Sequence, residues 1–402
     1  MTIPNTSGAT AGSVLVEPSN DTSAHVPQDV DLHTLSLAGT PENVVDLYFR
    51  TAESPRGYGD IGVSPCPPMA LDPAVCLILD EARSQYQMSS FRNGDRLSPD
   101  TLGDALKDAP PDTIRRMPCL QEPYKPCRET GDRYGVVPVS HASQTLHKAL
   151  VAYASDHGMQ NGWLTSQRIA KMVSESLGNQ ETHGCQPGSG PWRCGGFVLR
   201  ETPSGQGNLH RFRFAIVGPG SSISGNIKAA RDFRPKLKEV FDEYVIHGHR
   251  RLDGQLMSED EVGVVVATQV QRSSRPVRDE DTNHSSVIAS VLPAAPAAYG
   301  EKSDNEKPRS GCGTGMTWLI ECLAELSDIM PGEHIMCTIL SGRVVARIPV
   351  ATLAAICEGG ADRFWFNVEG RDDLPPDPKA IRELDGDRSF PGTAILFDII
   401  LP

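Results

Sequence analysis

Apolar residues along this chain follow two rhythms, and the switches between them predict where helices and strands lie. Helical spacing puts Val44, Val45, Leu47 and Tyr48 on one stripe after Thr40-Pro41, and Val75, Leu77, Ile78, Leu79, Ala82 and Tyr86 on another after Asp72-Pro73. An Asp-Pro pair suits an N-cap and first turn, because proline lacks the amide that would be unpaired there. Ser98-Pro99-Asp100 opens a third helix with Leu102, Ala105 and Leu106. Beyond it Pro110, Pro111, Pro118, Pro123 and Pro126 interrupt regular structure through Tyr134. Leu146, Leu150, Val151 and Tyr153 form the inner face of a helix entered at Ser140 and closed at His157-Gly158. Thr165 caps the next, with Ile169, Met172, Val173 and Leu177 inward and Gln167, Arg168 and Lys171 outward.

The period then drops to two. Phe197 to Arg200 and Leu209 to Val217 read as strands joined by a tip, Thr202 to Asn208, that holds Pro203, Gly205 and Gly207. A helix from Ile223 to His247, interrupted at Pro235, carries Lys228, Arg231, Arg234, Lys236 and Lys238. Further on the pattern predicts a helix (Trp318 to Ile329), strands (His334 to Leu340 and Val344 to Pro349), a helix (Ala351 to Glu358) and a strand (Phe364 to Val368). The last strand, Thr393 to Leu401, is apolar at nearly every position, as in a strand covered on both faces or one completed by a partner chain.

These elements predict an α+β fold class in five parts. Residues 1–40 are rich in Ser, Thr, Pro, Asn and Asp, with too few large apolar groups to offset ordering entropy, and are expected to be a disordered arm. A helical, Pro-rich region covers 41–136, a basic domain 137–252, a flexible linker 253–314 containing one short strand (Val262 to Thr268), and a small α+β domain 315–402. Residues 140–217 resemble a winged-helix domain. Gly162 to Val173 follows the pattern of a helix-turn-helix second helix, and the basic hairpin after it resembles a wing that lies along a phosphate backbone. The segment before the hairpin departs from that pattern: Gly184, Pro187, Gly188, Gly190 and Pro191 oppose a regular recognition helix. Another kind of α+β domain therefore stays open beside the winged one.

Charge sharpens this reading. The chain carries a net −13, yet Ser140 to Arg251 holds 14 Lys+Arg against 8 Asp+Glu, a local +6 that leaves 24 against 43, or −19, elsewhere. Seven of the eleven histidines fall in the same window. Such asymmetry fits one polyanion-facing surface on an otherwise acidic protein. Arg168, Lys171, Arg193, Arg200, Arg211 and Arg213 are the expected phosphate contacts, with Gln167 reaching base edges. The partner is nucleic acid, DNA ahead of RNA, and the layout is that of a replication initiator or regulator without enzymatic activity. The alternative is a structural or assembly protein, such as a virus particle component, self-associating through residues 315–402.

The remaining chemistry mostly excludes. No run of about 18 apolar residues predicts a membrane span, and no cationic start with an apolar core predicts a secretory signal, so the expected location is cytoplasmic, or nuclear in a eukaryotic host. Ten cysteines, none in a C-x-x-C pair, read as reduced thiols. Cys119 and Cys127 lack two further ligands at metal spacing, and His183, Cys185, Cys194 and His210 stand at no recognised zinc spacing, so no metal is expected. Gly311-Cys312-Gly313-Thr314-Gly315 resembles the glycine-rich loop of S-adenosylmethionine-dependent methyltransferases. It lacks a preceding strand and a following doubly wound sheet, so no cofactor is expected either.

Overall fold

The computed structural model describes residues 30–52, 66–90, 100–110, 112–121, 139–180, 192–201, 208–231, 238, 241–242, 250–268, 315–348, 350–352, 366 and 375–402. Seven strands among them form one antiparallel sheet: β1 (Ile114–Gln121), β2 (Arg193–Glu201), β3 (Leu209–Pro219), β4 (Ile335–Gly342), β5 (Val344–Ile348), β6 (Ile381–Glu383) and β7 (Phe390–Leu401). Their order is β1-β2-β3-β7-β4-β5-β6. The C-terminal strand is therefore the middle of the sheet. It pairs β3 from His210↔Leu401 to Pro219↔Gly392, and β4 from Ile335↔Ile399 to Gly342↔Phe390.

Both faces are covered. One carries α1 (Pro41–Ala52), α2 (Pro73–Ser90) and α3 (Thr101–Leu106), whose apolar stripes pack with Phe197, Leu199, Ala215, Val217, Ala394 and Leu396. The other carries α4 (Val139–Asp156), α5 (Gly162–Asn179), α6 (Ile223–Arg231), α7 (Glu259–Thr268) and α8 (Gly315–Ser327), packed with Val198, Phe212, Phe214, Ile216, Ile395, Phe397 and Ile399. Successive side chains of a strand point to opposite faces, so a central strand buried on both must be apolar at nearly every position. That is the physical reason for the C-terminal apolar run. Full burial of one such large side chain contributes about 1.5–3 kcal/mol.

The α+β class is observed. The sheet, however, runs across the boundaries drawn at 136/137 and 314/315, because β1, β2, β3 and β7 belong to three of the expected parts. The hairpin read as a wing is likewise interior: β2 pairs with β1 as well as β3, and β3 with β7 as well as β2. Residues 30–40, expected within a disordered arm, form a 3-10 turn (Leu32–Thr34) with Leu32 and Leu37 buried. Asp72 ties this segment down. Its carboxylate caps α2 by accepting from Ala74 N at 2.9 Å and accepts from Leu37 N at 2.7 Å.

Val262 to Thr268 lies in helix α7, where a strand was expected. Its start is a capping box, in which Ser258 Oγ accepts from Glu261 N at 3.1 Å and Ser258 N donates to Glu261 Oε2 at 2.7 Å. The valines lie on a buried helix, which periodicity alone does not separate from a strand. Helix α5 begins three residues before Thr165; Asn161, left-handed at φ 55°, precedes it, and Thr165 is buried inside the first turn. At that turn Gly162 is required, since a Cβ there would stand 2.4 Å from the Ala154 Cβ of α4. Strand β1 crosses the proline-interrupted stretch. Pro118 sits in its register shift between Met117 and Leu120, on the sheet edge, where a missing amide costs no ladder bond. Residues 1–29, the 202–207 tip, 181–191, 269–314, 353–365 and 367–374 lie outside the described residues, and so do most of the helix expected to 247 and of the elements expected at 351–358 and 364–368.

Asp80 of α2 gives the fold a pH signature. It is buried, which pushes its carboxyl up to about 6 from 3.8, against hydrogen bonds from Thr101 and the nearby Arg193 and Arg83. The folded protein thus holds this proton more tightly than the unfolded chain, so the group's contribution is full below pH 4 and is lost as pH rises through about 6. Asp80→Asn is expected to unfold at higher urea than the native protein at pH 7, by about 2–3 kcal/mol, with the gap closing below pH 4. A gap equal at pH 4 and pH 7 would contradict this assignment.

Candidate functional site

The seven residues expected to contact nucleic acid do not share a surface. On α5, Gln167 is half-buried, Lys171 Nζ pairs with Glu325 of α8 at 2.8 Å, and Arg168 reaches Asp328 at 3.7 Å. These cations fasten α5 to the α8 end, where a phosphate-binding helix would leave them to solvent. Three of the four arginines of the wing strands, Arg193, Arg211 and Arg213, lie on the opposite face of the sheet. Arg193 is buried against Glu81 at 3.0 Å and donates to Ser84 Oγ at 2.7 Å.

Arg211 and Arg213 are the two that the structure brings together. Both bond the buried Asp398 of β7, Arg211 Nε at 2.6 Å and Arg213 Nε at 3.1 Å. Arg211 also faces Glu201 at 3.6 Å, and Arg213 donates to the Met69 and Leu71 carbonyls at 2.7 and 3.0 Å. A cavity of about 320 Å³ adjoins them, lined also by Asp72, Met336 and Leu396. Two guanidiniums meet two carboxylates there, so the lining has no surplus of positive charge. Burial raises the Asp72 carboxyl, opposed by its two backbone amides and then by Arg213.

Arg200 differs from the rest. Among the described residues it has no carboxylate at ion-pair distance, and its Nε is buried without a hydrogen-bond partner. It stands directly across the β2–β3 ladder from His210. Around them, at the C-terminal end of α4, three more groups converge. Tyr153 Oη lies 2.7 Å from His210 Nδ1, and the His157 ring stacks on Tyr153 with centroids 4.1 Å apart. The imidazoles of His157 and His210 meet edge to face at 5.2 Å. His157 Nδ1 donates to the Tyr153 carbonyl at 2.9 Å. Arg115 of β1 stands at the rim, on Asp156 at 2.5 Å in an exposed pair.

Helix and sheet each supply half of this cluster. Tyr153 on α4 and His157 just past its end are one turn apart, and Arg200 and His210 are cross-strand neighbours, so both halves follow from local spacing. The electrostatics are cationic. Burial lowers the pKa of His210, with His157 and Arg200 adding to the shift, and burial pushes the Tyr153 hydroxyl up to about 12 against Arg200 and Arg115. Tyr153 and His157 were absent from the expected site. The signal that was present is the Tyr-x-x-x-His spacing at the helix end.

Of the zinc candidates, His183 and Cys185 lie outside the described residues. Cys194 pairs with Ile216, six residues along β3 from His210, about 20 Å at strand rise, so those two ligands cannot share an ion. No helix among the described residues is long and apolar enough to cross a membrane. The fold and site thus define an α+β protein with a cationic, imidazole-containing cluster at one end of a helix-covered antiparallel sheet. Comparison with protein-family models, curated proteins and solved structures finds no match for this chain.

Proposed function

We propose that this protein binds nucleic acid, with Arg200, His210 and His157 holding the phosphate backbone. The observation that carries the reading is the state of the cations. Of the six expected at phosphates, five are neutralised by carboxylates and Arg200 alone has none among the described residues. A half-buried guanidinium whose Nε lacks a partner, beside the His210 imidazole, favours an anion, and phosphate accepts its planar donors well. The wing-and-recognition-helix geometry is not part of this reading, because the hairpin strands are interior.

The test is fluorescence anisotropy of the full chain with a labelled oligonucleotide across a salt series. Affinity that falls steeply with salt is expected, with Arg200→Gln weakening binding at least tenfold and lowering the salt slope by about one. Arg168→Gln and Lys171→Gln are expected to leave affinity within about twofold. Unchanged binding in Arg200→Gln sinks the site.

An assembly role is the second reading, and one observation favours it. Leu252 and Leu256, 55% and 57% exposed, flank the Gly254 turn beside the Arg250↔Leu256 bridge. Strand β7 is not available for that role, being paired along both edges. Sedimentation of Leu252→Asp separates the readings, since assembly predicts dissociation and backbone binding predicts no change.

A further inference from the structure

We propose that the Tyr153–His157–His210–Arg200 cluster cleaves RNA without a metal, by transferring the phosphodiester from its 5′-oxygen to the neighbouring 2′-hydroxyl. The proposal rests on the nucleic-acid reading above and adds a reaction to it.

The geometry supplies an acid and a base of different kinds. His157 has its Nδ1 proton committed to the Tyr153 carbonyl, because a carbonyl oxygen can only accept. Its Nε2 is therefore the ring nitrogen left to meet a substrate oxygen. The ring sits at the C-terminal end of α4, the end whose exposed carbonyls favour a cation. His210 is desolvated, faces both His157 and Arg200, and favours the neutral ring. The reaction uses the tautomer in which His210 Nδ1–H donates to Tyr153 Oη, 2.7 Å away, which puts the lone pair of His210 on Nε2. The two imidazoles meet edge to face 5.2 Å apart, a separation on the scale of a single phosphate group. Charged and titratable groups face this pair from every element packed there: Tyr153, Asp156 and His157 from α4, Arg115 from β1, Arg200 from β2 and His210 from β3.

The step balances without another reactant. His210 Nε2 takes the 2′-hydroxyl proton while the 2′-oxygen forms a bond to phosphorus. The bond from phosphorus to the 5′-oxygen breaks, its electron pair stays on that oxygen, and His157 Nε2 gives up its proton to it. The products are a 2′,3′-cyclic phosphate and a 5′-hydroxyl. Exchange with water then resets both rings. Arg200 neutralises the non-bridging oxygens as negative charge builds on them. Tyr153 acts as a positioning residue, holding His210 by its hydroxyl and His157 by its carbonyl and ring face.

The experiment uses the full chain, a 5′-labelled single-stranded RNA, the same sequence in DNA and in 2′-O-methyl RNA, and EDTA throughout. Expected are cleavage of the RNA alone, cyclic-phosphate ends identified by mass spectrometry, and a bell-shaped pH profile. His157→Gln and His210→Gln are each expected to lose at least about 100-fold in cleavage while binding 2′-O-methyl RNA within about tenfold of the native chain. Tyr153→Phe is expected to shift the pH profile. Binding of RNA with no cleavage overturns the proposal and leaves the binding reading standing. No binding of RNA by the native chain overturns both readings, and cleavage that survives in both histidine variants assigns the activity to something other than this cluster.

Discussion

Removal of Phe390–Pro402 is expected to abolish folding of the whole chain, not of its last 85 or so residues alone. Strand β7 is the hub of the sheet, and Phe390, Ala394, Ile395, Leu396, Phe397, Ile399 and Leu401 are all buried between the helical layers. At about 1.5–3 kcal/mol for each large side chain, their burial rivals the 5–15 kcal/mol that keeps an ordinary domain folded. The β3 and β4 edges would also lose their ladder partners on one side. Circular dichroism with urea titration should therefore find no cooperative transition in the truncated chain, nor in a fragment of residues 137–252. A cooperative unfolding curve from that fragment would contradict the single-sheet description.

Asp398→Ala is expected to cost on the order of 3–5 kcal/mol, because it strands two guanidiniums around one missing carboxylate. The Asp398 side chain is 6% exposed and that of Arg213 15%, so water cannot replace the lost partner cheaply. Arg211 is more open at 32% and keeps Glu201, so the larger share of the loss falls on Arg213. Replacing all three, with Asp398→Leu, Arg211→Met and Arg213→Met, should recover most of the stability, since apolar groups of similar size need no pairing. Urea midpoints of the two proteins decide it. A cost below about 1 kcal/mol for Asp398→Ala would mean that the pair is solvated and does not hold β3 to β7.

Much of the fold was legible in local spacing. The stripes on α1, α2, α4 and α5 are read directly from the chain, and so are the β4–β5 hairpin and the double-sided C-terminal strand. What spacing could not reveal is pairing between distant segments. Nothing in Leu209–Pro219 marks Phe390–Leu401 as its neighbour, so one sheet was read as two domains, and a hairpin interior to it was read as a free wing. Helix α7 was missed for a different reason: a run of valines fits a strand and a buried helix equally, and the Ser258-Glu261 capping box was the deciding signal. For the site, a count of positive charge marks a region of the chain but not the partners its cations meet in the fold. Arg193, Arg211 and Arg213 look like phosphate ligands until Glu81 and Asp398 are placed beside them, and both acids come from outside the basic window. Arg200 was included; His157 and Tyr153 were not, because their meeting with His210 depends on how α4 lies on the sheet.

Hydrogen exchange of the full chain with and without a saturating RNA oligonucleotide most directly tests the proposed nucleic-acid site at the Arg200 end of the sheet. The expected result is slowed exchange in peptides covering Arg115, Tyr153 to Met159, Leu199 to Glu201 and Leu209 to Phe212, with that slowing lost in Arg200→Gln. Slowing confined to Gln167 to Lys171, or no change anywhere on a chain known to be folded, would contradict it.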